Sequence, residues 1–124
     1  MQLNDKGFNL IDGDLKRLGK KCRSIQTDLE NYYKIHNDSW IRYGAVPGII
    51  ASGKNYQIGK QRIGLLVPKL TPSEGARLWF VINTLTGDYY RCLLYLAREE
   101  QSYPQRKCFE IVNLQIKSLI PSDK

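Results

Sequence analysis

The alternating pattern of residues 76–97 constrains the fold of this chain more than any other feature of its sequence. In residues 76–83, large apolar side chains occupy every second position: Leu78, Phe80 and Ile82. Successive side chains of a strand point to opposite faces, so Arg77, Trp79 and Val81 lie on the face opposite to these apolar residues. The stretch TLTGD (84–88) supplies a turn, and residues 89–97 alternate again. The pattern predicts an antiparallel β-hairpin with a glycine-containing loop.

Two amphipathic helices are predicted ahead of the hairpin. Residues 12–22 carry apolar side chains at i, i+3 and i+7, a basic opposite face, and Asp12 as an N-cap. A second helix begins at Ser24, and one stripe of it is formed by Ile25, Leu29, Tyr32 and His36. Gly19 breaks the pattern between them, so the two helices are expected to form a hairpin. The position of His36 at the end of the stripe is typical of a packed residue, or of a residue at a helix C-terminus, rather than of a catalytic base.

The remaining segments complete the predicted order of elements. Residues 38–54 mix aromatic residues with Gly, Ser and Pro, which favours a surface connection. From residue 56 to residue 65 the spacing favours strands, interrupted by a bend or bulge near Gly59. Residues 102–119 show helical spacing again. Two helices, a strand-rich middle and a final helix, without internal repeats, predict a single α+β domain over residues 1–124.

Composition narrows the classes of function. The 124 residues carry 19 Lys and Arg against 12 Asp and Glu, and the formal charge of +7 favours a polyanionic partner. No apolar run is long enough to span a bilayer, and the N-terminus lacks the pattern of a secretory signal. The three cysteines have no CxxC spacing and fit a reducing compartment. We therefore expect a cytoplasmic protein that does not associate with membranes.

Basic residues on or beside the strands are the best candidates for a site. Motifs for nucleotide, zinc or serine-hydrolase sites are absent from the sequence, which contains a single His, so no metal and no small-molecule cofactor are expected. In the predicted hairpin Arg77 lies opposite residues 96–98, and its guanidinium group could share one end of the sheet with that of Arg98. Two such cations repel each other unless an anion lies between them, which suggests a phosphate site. The alternative is that each pairs with a carboxylate, such as Glu74, Glu99 or Glu100.

Four segments, in their order along the chain, resemble the RelE/ParE-like toxins of bacterial toxin–antitoxin modules. The basic segment 14–29 resembles the helical hairpin of that family, and Lys60-Gln61-Arg62-Ile63 is similar to its K-x-R strand motif. SEGARLWFVI (73–82) resembles its small-residue loop, G-x-R motif and aromatic-rich strand. YYRCLLYLAREE (89–100) resembles a strand that ends in a basic residue with acidic neighbours. Each motif is short, but the resemblance covers nearly the whole chain.

The resemblance implies both a fold and an activity. The fold would be an N-terminal helical hairpin packed on a curved antiparallel sheet, with a C-terminal helix. The activity, that of the RelE-like branch, would be metal-independent cleavage of mRNA, on the ribosome, by the toxin of a type II module. Cleavage would leave 2′,3′-cyclic phosphate and 5′-hydroxyl ends. The partners would be mRNA, the ribosome and a cognate acidic antitoxin that folds on binding.

The resemblance also implies roles for individual side chains. Arg77 would bind the scissile phosphate, and Arg98 would stabilise the leaving group electrostatically, since an arginine is a poor proton donor. Lys60 and Arg62 would contact phosphate or assist activation of the 2′-hydroxyl. Tyr103, displaced by about one residue from the corresponding tyrosine of the family, could stack a base. Glu74 would be either a general base or the ion-pair partner of Arg77.

Three alternatives remain open from the sequence. If residues 56–59 (YQIG) correspond instead to the basic strand motif of the family, both basic positions are lost and the nuclease interpretation weakens. A ParE-like toxin would inhibit DNA gyrase through its surface and would not need the cationic cluster. An inactive basic module would bind RNA or the ribosome without cleaving it.

Overall fold

The computed structural model describes residues 2–121, so Met1 and residues 122–124 of the predicted domain lie outside the described range. The three helices are α1 (Asp12–Leu18), α2 (Ile25–Tyr43) and α3 (Gln105–Leu119). The five strands are β1 (Asn4–Asp5), β2 (Ile49–Gly53), β3 (Tyr56–Ile63), β4 (Ala76–Asn83) and β5 (Asp88–Leu96). Short 3-10 helices precede α1 at Asn9–Ile11 and follow β5 at Ala97–Ser102. The predicted α+β class is confirmed.

The strands form one mixed sheet in the order β1-β5-β4-β3-β2. Strands β2 to β5 are antiparallel neighbours, whereas β1 pairs with β5 in parallel, with Asn4 opposite Asp88. The prediction of a purely antiparallel sheet is therefore wrong at this edge. A two-residue strand has no periodicity of its own, and its partner is 84 residues away, so no local pattern could indicate the pairing.

Helices cover both faces of the sheet. On one face, α1 and α2 pack on a core that includes Leu18, Ile25, Leu29, Leu78 and Leu94. On the other, which we call the α3 face, helix α3 packs on a core that includes Trp79, Val81, Tyr95, Cys108 and Val112. All eight residues of β4 are buried as a result. The alternation predicted for this strand therefore separates two cores rather than a core from solvent.

A β-bulge in β5 changes which residues face α1 and α2. Trp79 pairs with Leu93 and Phe80 pairs with Arg91, so Cys92 is the extra residue. One extra residue reverses the alternation of a strand, so odd-numbered residues before the bulge and even-numbered residues after it share a face. The loop also spans only residues 84–87, one fewer than predicted. Arg77 consequently pairs with Tyr95 rather than with residues 96–98.

Strand β3 is continuous, so the predicted bend at Gly59 is wrong. Residues 56–63 pair with β4 without a shift in register. A Cβ atom at Gly59 would overlap the ring of Phe80, its partner on β4. Glycine at this position allows a close approach of the aromatic ring to the backbone, and the irregularity lies instead in β2, between Ile49 and Ala51.

Helix α2 extends further than the sequence indicates. It continues to Tyr43 through the first part of the segment predicted as a connection, and Trp40 packs against the cluster around Phe80 and Tyr89. The helix ends at Gly44, whose φ of +67° is left-handed and favours glycine. The second part of that segment forms β2. The packing of Trp40 against strands that are distant in sequence outweighs the weak local helical pattern.

Candidate nucleic-acid interface

Three of the predicted site residues lie on the α3 face at adjacent positions of β3 and β4. Lys60 and Arg62 share this face with Ile58, because alternate residues of a strand point the same way. Arg62 lies directly opposite Arg77 on β4, and Tyr95 lies opposite Arg77 on β5. The structure thus brings Lys60, Arg62 and Arg77 together.

Three aromatic rings, those of Trp79, Tyr95 and Tyr103, lie between Lys60 and Lys107. The Lys60 Nζ atom lies 5.7 Å from the centroid of the Trp79 ring, and Trp79 Nε1 donates a 3.1 Å hydrogen bond to the Tyr95 hydroxyl. The rings of Tyr95 and Tyr103 stack in parallel with centroids 4.4 Å apart. Lys107 Nζ lies 5.2 Å from the centroid of the Tyr103 ring. We call this group the basic aromatic site: Lys60, Arg62, Trp79, Tyr95, Tyr103 and Lys107.

The cations of the basic aromatic site keep their charge available for a ligand. Arg62 is exposed and Lys60 half-buried, and neither forms an ion pair with any residue between 2 and 121.

Two buried titratable groups lie next to these cations. Burial raises the pKa of Tyr95 to about 12, so its phenol is neutral at physiological pH. Burial also raises the pKa of the Cys108 thiol, whereas the charges of Lys60 and Lys107 act to lower it. The two ammonium groups, on different elements, are therefore both close enough to Cys108 to affect its pKa.

Arg77 is part of the protein's interior rather than of an open phosphate site. Its side chain is 5% exposed, and its Nε donates a 2.5 Å hydrogen bond to Glu100 Oε1. Its terminal nitrogens donate to the carbonyl oxygens of Pro72, Ala76 and Ser73 at 2.9, 3.1 and 3.0 Å. Arg77 therefore pairs with a carboxylate, and it does not form the phosphate site with Arg98 that was the other alternative. The guanidinium holds the loop before β4 against the segment after β5.

Arg98 lies on the other side of the sheet. It is exposed in the 3-10 helix beyond β5 and lines a cavity together with Cys22 and Leu96, which belong to the core under α1 and α2. The predicted convergence of Arg77 and Arg98 at one end of the sheet is therefore not present. Glu74 does not pair with Arg77 either, because its Oε1 accepts hydrogen bonds from the amide and hydroxyl of Thr71 at 3.3 and 2.8 Å.

Two features of this region were missed from the sequence. Lys107 follows Tyr103 by four residues, and this spacing at the start of a helix could have indicated the contact. Arg91 also stands on a strand, but its side chain is fully buried and paired with Asp5. No local signal indicates that pairing, because the two residues are 86 positions apart.

His36 is a packed residue, as predicted. It is fully buried, with Nδ1 2.9 Å from the Tyr89 hydroxyl and Nε2 3.0 Å from Gln61 Oε1. Burial lowers the pKa of His36, the Gln61 hydrogen bond opposes this shift, and the charge of Arg91 adds to it. A neutral imidazole that donates to Gln61 and accepts from Tyr89 satisfies both contacts.

No protein-family model, curated protein or solved structure matches this chain. Across residues 2–121, no group of three or more His, Cys, Asp or Glu side chains is placed to hold a metal ion. None of the helices in that range combines the length and the apolar character needed to cross a membrane. The chemistry of the region therefore has to be inferred from its side chains. Its cations can neutralise phosphates, and the half-buried ring of Tyr103 can support a base, whereas the rings of Trp79 and Tyr95 are fully buried.

Proposed function

We propose that the protein binds single-stranded mRNA at the basic aromatic site and cleaves it as a toxin of the RelE/ParE-like type. The proposal is carried by one surface that combines the cations Lys60, Arg62 and Lys107 with the half-buried ring of Tyr103, which stacks on the fully buried ring of Tyr95. Cations that follow the backbone and rings that support bases are the features with which proteins bind a single strand. A helix pair on one face of the sheet is compatible with the arrangement that the resemblance implies. The proposed partners are mRNA, the ribosome and an acidic antitoxin, in the cytoplasm.

The reaction proposed for this site is internal transfer within the RNA. The 2′-oxygen forms a bond to the adjacent phosphorus while the bond from phosphorus to the 5′-oxygen breaks, which leaves a 2′,3′-cyclic phosphate and a 5′-hydroxyl. One proton leaves the 2′-hydroxyl and one reaches the 5′-oxygen. Lys60 and Arg62 would stabilise the charge that develops on the phosphate oxygens. Tyr103 would hold the flanking base so that attack occurs in line.

Arg77 and Arg98 have different parts in this proposal. The hydrogen bonds of Arg77 to the preceding loop and to Glu100 give it a positioning role, without contact to phosphate. The leaving-group role predicted for Arg98 would require its exposed side chain to reach around the end of β5. Lys60 and Arg62 need no such movement, so they are the residues on which the proposal depends.

A second candidate function is RNA binding without cleavage. It is favoured by the hydrogen bonds that engage Arg77, because they leave Lys60 and Arg62 as the two strand cations that can reach a phosphate. Both candidates use the same surface, and they differ in whether the RNA is cut.

The test compares two double variants with equal loss of charge. Lys60→Ala with Arg62→Ala removes both strand cations, whereas Arg23→Ala with Lys34→Ala removes two exposed cations outside the α3 face. On induced expression, we expect wild type and the control to arrest growth and to give cuts in a cellular message by primer extension. The Lys60/Arg62 variant should give neither. Equal arrest and identical cuts from all three proteins would contradict the proposal.

Binding to a short fluorescent RNA separates the two candidates. Loss of two phosphate contacts should reduce the slope of log affinity against log salt by about 1.4 in the Lys60/Arg62 variant, since the ligand is a single strand. RNA that is bound but remains intact, with the ribosome present or absent, would support the non-cleaving candidate. RNA that is not bound by wild type would exclude both.

A further inference from the structure

Gln61 connects the two strand cations of the basic aromatic site to helix α2. It lies between Lys60 and Arg62 on β3, so its side chain points to the opposite face of the sheet, where α2 packs. Its Nε2 donates a 3.0 Å hydrogen bond to the backbone carbonyl oxygen of Arg62. Its Oε1 lies 3.0 Å from Nε2 of His36 on α2. The backbone that carries Arg62 is therefore linked to the helix through two side-chain hydrogen bonds.

The part of β3 that carries these cations extends beyond its neighbour β2. The Lys60 amide donates to the Gly48 carbonyl oxygen at 2.9 Å, and within residues 2–121 the strand pairing of residues 61–63 is with β4 alone. Helix α2 restrains this end of the strand through the amide side chain described above and through the Tyr32 hydroxyl, which accepts a 3.1 Å hydrogen bond from the Gly64 amide. The position of both cations therefore depends on the helix as well as on the sheet.

His36 fits its position as a neutral ring. Its Nδ1 lies 2.9 Å from the Tyr89 hydroxyl, and an additional proton on Nδ1 would prevent this nitrogen from accepting a hydrogen bond. Neutral side chains face the ring from β3 and β4, whereas β5 contributes Tyr89 and the cation Arg91, which is paired with Asp5 of β1. The charge of Arg91 adds to the cost of protonating the imidazole. The buried position of the ring therefore requires its neutral form.

We propose that Gln61 is a positioning residue for Lys60 and Arg62, and that protonation of His36 releases it and weakens RNA binding. The inference rests on the proposed function and adds regulation by pH to the same site. In acid, the charged ring leaves its buried position, and its hydrogen bond to Gln61 is lost. The end of β3 then loses a contact to α2, and the two cations no longer keep the geometry in which they bind phosphate.

The direction of the expected change separates it from ordinary electrostatics. Lys and Arg side chains keep their charge throughout the range from pH 7.5 to 5.5. A proton gained elsewhere on the protein adds positive charge, which by itself strengthens binding to a polyanion. Weaker binding in acid therefore requires a conformational effect, and His36 is the only histidine in the sequence.

The test measures binding of the full-length protein to a fluorescent oligouridine, whose bases do not titrate in this range. We expect the affinity of the wild type to fall by about fivefold or more between pH 7.5 and 5.5, while circular dichroism shows that the protein stays folded. His36→Gln should bind equally at both pH values, because its side chain stays neutral. Gln61→Met should bind weakly at both, because it fills a similar volume without hydrogen bonds. The matched control Gln26→Met, at an exposed position of α2, should behave as the wild type does.

Titration of the His36 ring by NMR tests the same coupling in the wild type. Because linkage is reciprocal, oligouridine should lower the pKa of His36, whereas the charge of the RNA alone would raise it. An unchanged or raised pKa in the complex, wild-type affinity of Gln61→Met, or equal or tighter wild-type binding at pH 5.5 would overturn the inference. If the Lys60/Arg62 variant loses binding while wild-type affinity does not depend on pH, the proposed function stands and this inference alone fails. Absence of wild-type binding at pH 7.5 would contradict both.

Discussion

The buried ion pair between Asp5 and Arg91 predicts a large loss of stability in the Asp5→Asn variant. Arg91 is fully buried, and its terminal nitrogens donate hydrogen bonds to the two carboxylate oxygens of Asp5 at 2.6 and 3.2 Å. One of them also donates to the Gly7 carbonyl oxygen at 3.1 Å, and the guanidinium lies 4.2 Å from the centroid of the Phe8 ring. The pair joins β1 to β5 and fixes the N-terminal edge of the sheet.

The expected magnitude follows from the burial of the cation. Removing one partner of a buried pair costs about 3–5 kcal/mol, because the remaining charge stays in the interior without compensation. The Asp5 side chain is 31% exposed, so water can partly replace it, and we expect about 3 kcal/mol. Within the described residues, Arg91 Nε already has no hydrogen-bond partner. Loss of the Asp5 carboxylate would therefore leave the guanidinium with still fewer hydrogen bonds. For a domain of this size, the melting temperature should fall by roughly 10 °C.

Urea unfolding at pH 7, followed by the fluorescence of Trp40 and the buried Trp79, measures this change. Asp12→Asn is the matched control, because it breaks an exposed pair with Lys16 whose side chains are 79% and 63% exposed. That control should change the free energy of unfolding by less than about 1 kcal/mol. Asp5→Asn with Arg91→Met should recover part of the loss, since it leaves no buried charge. A loss below about 1 kcal/mol in Asp5→Asn alone would refute the reasoning.

The same pair makes the stability of the wild type depend on pH. Burial acts to raise the pKa of Asp5, but the Arg91 hydrogen bond, the Gly7 amide and the Arg91 charge outweigh it, and the net pKa lies below the usual 3.8. The stabilisation is therefore complete above pH 3.8 and is lost as the pH falls through the lower pKa of the folded state. Below that pKa, wild type and Asp5→Asn should therefore have similar free energies of unfolding.

Two further predictions concern other buried polar groups. Arg77→Ala should lower the free energy of unfolding by about 2–4 kcal/mol, because it removes a buried hydrogen-bonded cation and leaves carbonyl oxygens without donors. A wild-type melting temperature for that variant would contradict the interior role of Arg77. Because the variant is expected to be less stable, reduced toxicity alone would not identify Arg77 as a catalytic residue. Because burial lowers the pKa of His36 from its ordinary 6.5, the unfolded state binds more protons just below pH 6.5, and stability should fall as the pH decreases through that range. The free energy of unfolding should change by no more than about 1.4 kcal/mol per pH unit. Urea unfolding midpoints measured between pH 7.5 and 5.5 check this, and His36→Gln should show a weaker dependence on pH.

Local periodicity predicted those parts of the fold that depend on neighbours along the chain. The hairpin of β4 and β5 lies where the alternation of residues 76–97 places it, and its strand ends differ from the prediction by one residue. The packed position of His36 also follows from helical spacing alone. The continuation of α2 to Tyr43 could not be predicted, because Trp40 is held by a cluster on strands that are distant in sequence.

The alternation of a strand is enough to predict that Lys60 and Arg62 share one face, since residues at i and i+2 of a strand always do. Which cations are open to a ligand depends instead on tertiary contacts. Arg77 and Arg91 also stand on strands, yet the first is clamped by a loop and by Glu100 and the second is buried against a residue 86 positions away. The exposure of a guanidinium depends on what packs over it, and such contacts arise from chain segments that no local pattern connects.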